Sequence, residues 1–62
     1  MTVIEIIGYG KKRRYIVRET RAGGLDTVPG TRVYKTEQAA RQAAAGLGLT
    51  VEAVGDLWQL IK

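Results

Sequence analysis

The chain contains no cysteine, no histidine, no serine and no asparagine. Without cysteine there is no disulfide, and without histidine as well there is no Cys/His zinc site. The same gaps remove the commonest general base and the two commonest side-chain nucleophiles. Six carboxylates remain, scattered through the sequence in no spacing that supports an acid–base pair. The expectation is a protein that is not an enzyme and holds no cofactor and no metal. No apolar run approaches the ~18 residues of a membrane-crossing helix. The opening Met1-Thr2-Val3-Ile4-Glu5 also lacks the basic start of a secretory signal. A cytoplasmic location with no membrane partner is expected.

What is present is a chain of 62 residues with a hydrophobic fraction of 45%, too apolar for a disordered tail and long enough for one small domain, residues 1–62. A core of this length contributes only about 3–5 kcal/mol net. With disulfides and Cys/His zinc excluded, tight packing or a second copy of the chain must supply the remaining burial, so a homodimer is one expectation.

The net charge is +4 and it is unevenly placed. Residues 1–35 carry eight Lys/Arg against Glu5, Glu19 and Asp26, a balance of +5, whereas residues 36–62 carry Arg41 and Lys62 against Glu37, Glu52 and Asp56, a balance of −1. A modest positive charge by itself only keeps a small domain soluble. Its clustering says more. Lys11-Lys12-Arg13-Arg14 is a run of four cations bracketed by Tyr9 and Tyr15. Adjacent like charges repel, and an anionic partner offsets that repulsion.

Residues 2–7 are rich in β-branched side chains, with apolar groups on both faces of the expected strand. Gly8-Tyr9-Gly10 is turn chemistry, and residues 13–20 read as a second strand, so the basic run falls at the tip of an antiparallel hairpin. Residues 21–30, with three glycines and the single proline, read as a long loop. Residues 31–35 read as a short third strand. Thr36 suits a helix N-cap, with Glu37 in the favourable first turn. Ala39, Ala40, Ala43, Ala44 and Leu47 recur at helical spacing over 37–47, and Gly46 and Gly48 mark the end.

Residues 49–62 admit two readings. As a hairpin they turn at Gly55-Asp56 and set Ala53 opposite Trp58 and Val51 opposite Leu60. As a helix they start at Thr50 and carry Gly55 mid-helix at a cost of ~1 kcal/mol. The hairpin is preferred. The expected fold is therefore α+β: a small antiparallel sheet packed on one helix in the order β-β-β-α, followed by a C-terminal hairpin, with a C-terminal helix as the alternative. In the hairpin reading Trp58 covers the alanine face of the helix and belongs to the core.

Two motifs fail on chemistry. Gly8-Tyr9-Gly10 opens like a dinucleotide loop, but Arg13 occupies the third glycine position and no helix follows. Residues 43–57 have the apolar spacing of a helix-turn-helix, with Gly48 in the turn. The second helix would present Thr50, Glu52 and Asp56 with no cation before Lys62, and the two carboxylates repel phosphate.

From residue 11 to about residue 45 the layout resembles the arm-type DNA-binding domain of tyrosine recombinases, and similar small phage and bacterial sheet-plus-helix domains. The residues that carry the likeness are Arg14-Tyr15-Ile16-Val17-Arg18, then Val33-Tyr34-Lys35-Thr36, then Glu37 and Ala39-Ala40. The resemblance implies a three-stranded sheet packed on a helix and inserted into the major groove, with Arg14, Arg18 and Arg32 facing DNA.

The residues and the resemblance together point to a non-enzymatic nucleic-acid-binding module, DNA favoured over RNA. Lys11, Lys12, Arg13 and Arg14 would meet phosphates, supported by Arg18, Arg32 and Lys35, with Tyr9 and Tyr15 packing on sugars or bases. The alternative is a small phage-type inhibitor or adaptor that docks the same basic surface on an acidic protein.

Overall fold

A computed structural model of the chain describes residues 1–21 and 24–60. Residues 22–23 of the expected loop and residues 61–62 of the expected hairpin lie outside the described residues. The elements are β1 (Thr2–Ile7), β2 (Arg14–Arg21), β3 (Gly24–Thr27), α1 (Glu37–Gly46), β4 (Val51–Gly55) and a four-residue helix α2 (Leu57–Leu60). The fold is α+β, with a four-stranded mixed sheet in the order β3-β2-β1-β4. β1 pairs antiparallel with β2, and β2 with β3, whereas β4 runs parallel to β1.

The β-branched composition of β1 explains its central place. Val3 and Ile4 point to opposite faces and both are fully buried. Ile4 lies opposite Val17 in the β1–β2 register. On them sit Ala40 and Ala44 of α1, both fully buried, with Val28, Tyr15, Tyr34, Leu49, Val51 and Val54 around the edge. Small side chains on the inner face of α1 let the helix axis lie close to the strands. The other face of β1 is covered by α2. Gly55 lies beside Glu5 in register, and a Cβ built on Gly55 would point at the Gln59 side chain.

The ends of α1 follow from the sequence. The Thr36 hydroxyl accepts a hydrogen bond from the Ala39 backbone N–H at 3.1 Å, the N-cap expected there. Glu37 and Arg41, one turn apart, form an ion pair at 2.7 Å. At the far end Gly48 has φ +75°, its N–H donates to the Ala45 carbonyl, and the Leu49 N–H donates to the Ala44 carbonyl. That pair of bonds is a Schellman motif, and it places Leu49 back on the core.

Four expectations are corrected, the first being the antiparallel sheet: it is mixed, because β4 runs parallel to β1. The third strand is Gly24–Thr27, inside the segment read as a loop, and not 31–35. Past Val28, whose N–H still donates to the Val17 carbonyl, Pro29-Gly30 turns the chain out, and Thr31 closes that turn onto the Val28 carbonyl at 3.2 Å. Only Tyr34 returns to the sheet, in an isolated bridge to Tyr15. The C-terminal hairpin is absent: Val51–Gly55 finds its partner on the open edge of β1, and Asp56 starts α2, accepting from Gln59 and Leu60. A parallel partner requires a long crossover, and α1 provides one. The helix-turn-helix spacing of 43–57 is likewise occupied by this strand. Finally, Trp58 is not in the core. It is 74% exposed, because α2 turns Gln59 toward the sheet and leaves the indole outside.

Candidate nucleic-acid interface

The connection from β1 to β2 is a tight, ordered loop. Gly8 takes φ +76°, Tyr9 is extended, and residues Gly10–Lys12 form one 3-10 turn closed by Lys12 N–H to the Tyr9 carbonyl at 3.0 Å and Arg13 N–H to the Gly10 carbonyl at 3.2 Å. Glycine is required at position 8 on two counts. Its φ is left-handed, and a Cβ there would stand 2.5 Å from the Lys12 carbonyl oxygen. The loop thus folds back against itself, and its side chains must point outward.

Lys11, Lys12 and Arg13 do so and are exposed. Arg14 behaves differently. Its guanidinium turns back on the loop and donates to the Arg13 carbonyl at 2.8 Å and the Lys11 carbonyl at 3.3 Å. It staples the turn and adds its charge to the base of the loop. Tyr9 projects from the same loop with 89% of its surface exposed.

The other residues of the expected site divide by environment. Lys35 is exposed and follows Tyr34, whose two 2.8 Å backbone bonds to Tyr15 hold it at the loop end of the sheet. Arg32 is exposed in the 29–33 excursion beside β2. Tyr15 is half-buried against the core under α1, so its ring is part of the packing. Arg18 lies on the opposite face, where it forms an ion pair with the buried Glu5 and donates to the Thr27 hydroxyl at 3.3 Å. Its charge is answered within the sheet. Among the described residues the ion pairs are Arg18–Glu5 and Arg41–Glu37; Lys11, Lys12, Arg13, Arg32 and Lys35 take part in none.

The charges are also segregated along the strands. Glu19 lies directly opposite Asp26, and Glu52 is on β4, all at the end of the sheet away from the 8–13 loop, where Arg21 is also placed. The loop end carries Lys11, Lys12, Arg13, Arg14 and Lys35, against Asp56 after β4 and Glu37 at the start of α1, the latter paired with Arg41. A field of this shape orients an approaching polyanion toward the loop before contact.

The sequence missed one member of this end of the molecule. β4 runs parallel to β1 and ends at Gly55, level with Glu5, so both strands run toward the same end of the sheet and β1 continues two residues farther. Trp58, on α2, is thereby placed at the same end as Tyr9. A four-residue helix is too short to show a periodic stripe, so no pattern signalled it. Comparison with known protein families, characterised proteins and solved structures finds no match for this chain. Among the described residues there is no helix long and apolar enough to cross a membrane and no cluster of three metal-ligating side chains.

Proposed function

We propose that this chain is a non-enzymatic, cytoplasmic nucleic-acid-binding module that grips phosphates with the loop joining β1 and β2. The observation that carries this reading is the contrast among its cations. Arg18 and Arg41 each have a carboxylate partner, whereas three consecutive cations, Lys11, Lys12 and Arg13, stand exposed and unpaired among the described residues on a turn rigid enough to hold them together. Packing like charges onto a fixed turn is unfavourable in isolation and favourable against a chain of phosphates. Lys35 and Arg32 extend the positive region, and Arg14 orders the loop while adding charge. The resemblance to the arm-type recombinase domain supports this reading only through the basic strand β2, since of residues 33–36 only Tyr34 pairs with the sheet. The Glu5–Arg18 pair and the covering helix α2 leave the loop, not the open sheet face, as the better contact surface.

A salt titration tests the reading. Binding to duplex DNA by three to five phosphate contacts should weaken with salt, log K falling against log salt with a slope of about −0.9 per contact, or roughly −3 to −4.5. Replacing Lys11, Lys12 and Arg13 together with glutamine should reduce that slope by about 3 units. A slope near zero, or one unchanged by the triple substitution, would remove the loop from the interface. Retention of an acidic protein from nuclease-treated lysate, with no polyanion binding, would favour the adaptor reading instead.

A further inference from the structure

The two most exposed aromatic rings of the described residues stand at the same end of the sheet as the unpaired cations. Tyr9 is 89% exposed and Trp58 is 74% exposed. Neither exposure is an accident of a loose chain end. Tyr9 is held in an extended conformation between Gly8 and Gly10, two residues without side chains to pack on it and both at positive φ. Trp58 is held on α2, whose next residue, Gln59, reaches over Gly55 and accepts from the Asp56 backbone N–H at 3.3 Å. Successive helix positions are rotated by about a quarter turn or more. Anchoring Gln59 on the sheet therefore keeps the indole outside. A small domain with little apolar material to spare leaves its largest side chain in water.

We propose that Tyr9 and Trp58 are stacking platforms, and that the nucleic acid bound at this end is single-stranded. This rests on the reading of the 8–13 loop as a phosphate contact. In a duplex the flat faces of the bases are covered by their neighbours, so exposed aromatic rings have nothing to stack on. In a single strand every base offers a face, and a groove or ridge that alternates cations with aromatic rings takes phosphate and base in turn. The register directs the two kinds of group to one end: Glu5 lies beside Gly55 on parallel strands, so β1 and β4 both run toward the end of the sheet that carries the cations, with Trp58 three residues past Gly55 and Tyr9 four residues past Glu5. Phosphate contact comes from Lys11, Lys12 and Arg13 between them in sequence and on the same loop as Tyr9. Stacking tolerates any base, which agrees with a site that has no asparagine and few side chains able to read base edges.

Trp58 is the single tryptophan, so its emission reports this ring alone. The experiment titrates the protein with an oligothymidylate of about ten nucleotides, a duplex of the same length, and inorganic polyphosphate, following Trp58 emission in the unsubstituted chain and measuring affinity, for it and for every variant, by titration calorimetry. The expected result is quenching by the oligothymidylate and none by polyphosphate, with the single strand bound more tightly than the duplex. Tyr9→Ala and Trp58→Ala should each weaken oligothymidylate binding on the order of tenfold, leave polyphosphate binding unchanged, and Trp58→Phe should recover most of the loss. Circular dichroism of each variant confirms that the fold persists. Oligothymidylate binding with no quenching and no loss in either alanine variant overturns the stacking role while leaving the phosphate contact standing. Failure to bind any of the three polyanions overturns the underlying reading itself. An emission change that follows protein concentration without any polyanion assigns Trp58 to self-association and also overturns the proposal.

Discussion

Glu5 of β1 and Arg18 of β2 are diagonal neighbours on the sheet face opposite α1, and their side chains form an ion pair that is 8% and 24% exposed. Arg18 continues to the Thr27 hydroxyl, so one guanidinium ties three adjacent strands together. Removing one partner of a buried pair strands the other charge, at a cost of about 3–5 kcal/mol. Arg18→Met alone should therefore unfold much of the population. Replacing both, Glu5→Leu with Arg18→Met, should recover most of the lost stability, since an apolar pair of similar volume is often neutral or better. Urea denaturation of the two single variants and the double variant measures this directly. Equal losses in all three would mean the pair is not coupled.

Gly8 and Gly10 flank Tyr9, but only Gly8 is closed in. The left-handed backbone alone costs an alanine there about 1–3 kcal/mol, and the Lys12 carbonyl adds a clash that only backbone movement relieves. Gly10 has the same sign of φ and open space around it. Gly8→Ala should thus lower the melting temperature more than Gly10→Ala. It should also disorder the loop, seen as loss of amide protection at Lys12 and Arg13.

The inner face of α1 has no room to grow. Ala40 and Ala44 are both fully buried over Ile4 and Val17. Ala44→Leu should cost about 1–3 kcal/mol by overpacking, although leucine ranks just below alanine as a helix former. The same change at the exposed Ala45 should be close to neutral. Thermal melts of the two variants make the comparison.

The N-cap at Thr36 is a single hydrogen bond to Ala39. Thr36→Ala should cost about 1 kcal/mol, and Thr36→Asp should restore it. Because the cap lies at the loop end of the sheet, next to Lys35, its loss should fray the first turn of α1 rather than its Schellman end. Hydrogen exchange that loosens first at Leu49 would contradict this.

What the sequence made legible were features fixed by local chemistry. The β-branched run at Val3-Ile4, the glycine turn into the basic loop, the Thr36 cap and the Ala40/Ala44 stripe each act within a few residues, and each is where the pattern puts it. What it concealed depends on distant partners. Gly24–Thr27 is an edge strand with only Leu25 half-buried, so it has no alternating apolar face to reveal it. Residues 31–35 look like a strand by composition, yet the turn at Pro29-Gly30 leaves only Tyr34 paired. Val51–Gly55 carries apolar groups on both sides, and nothing local tells a hairpin arm from a strand bound parallel to β1. Trp58 followed from that choice: set in a hairpin it would be covered, and on α2 it is not. In the candidate site, the exposed cations and Tyr9 were legible because a loop tip leaves little else to do with them. The commitment of Arg18 to Glu5 and of Tyr15 to the core required the register.

The parallel pairing of β1 with β4 has a consequence for the order in which the molecule assembles. Thr2 lies beside Val51, so that contact closes nearly the entire chain into one loop. The hairpin of β1 with β2 closes a far shorter loop, and contacts of that kind form first. Until β4 arrives, the most apolar strand of the protein presents an unpaired edge, the template on which strands of other molecules add. A chain elongating from its first residue passes through that state before residues 51–55 exist. The growing polypeptide is therefore most vulnerable to aggregation in the interval just before β4 docks.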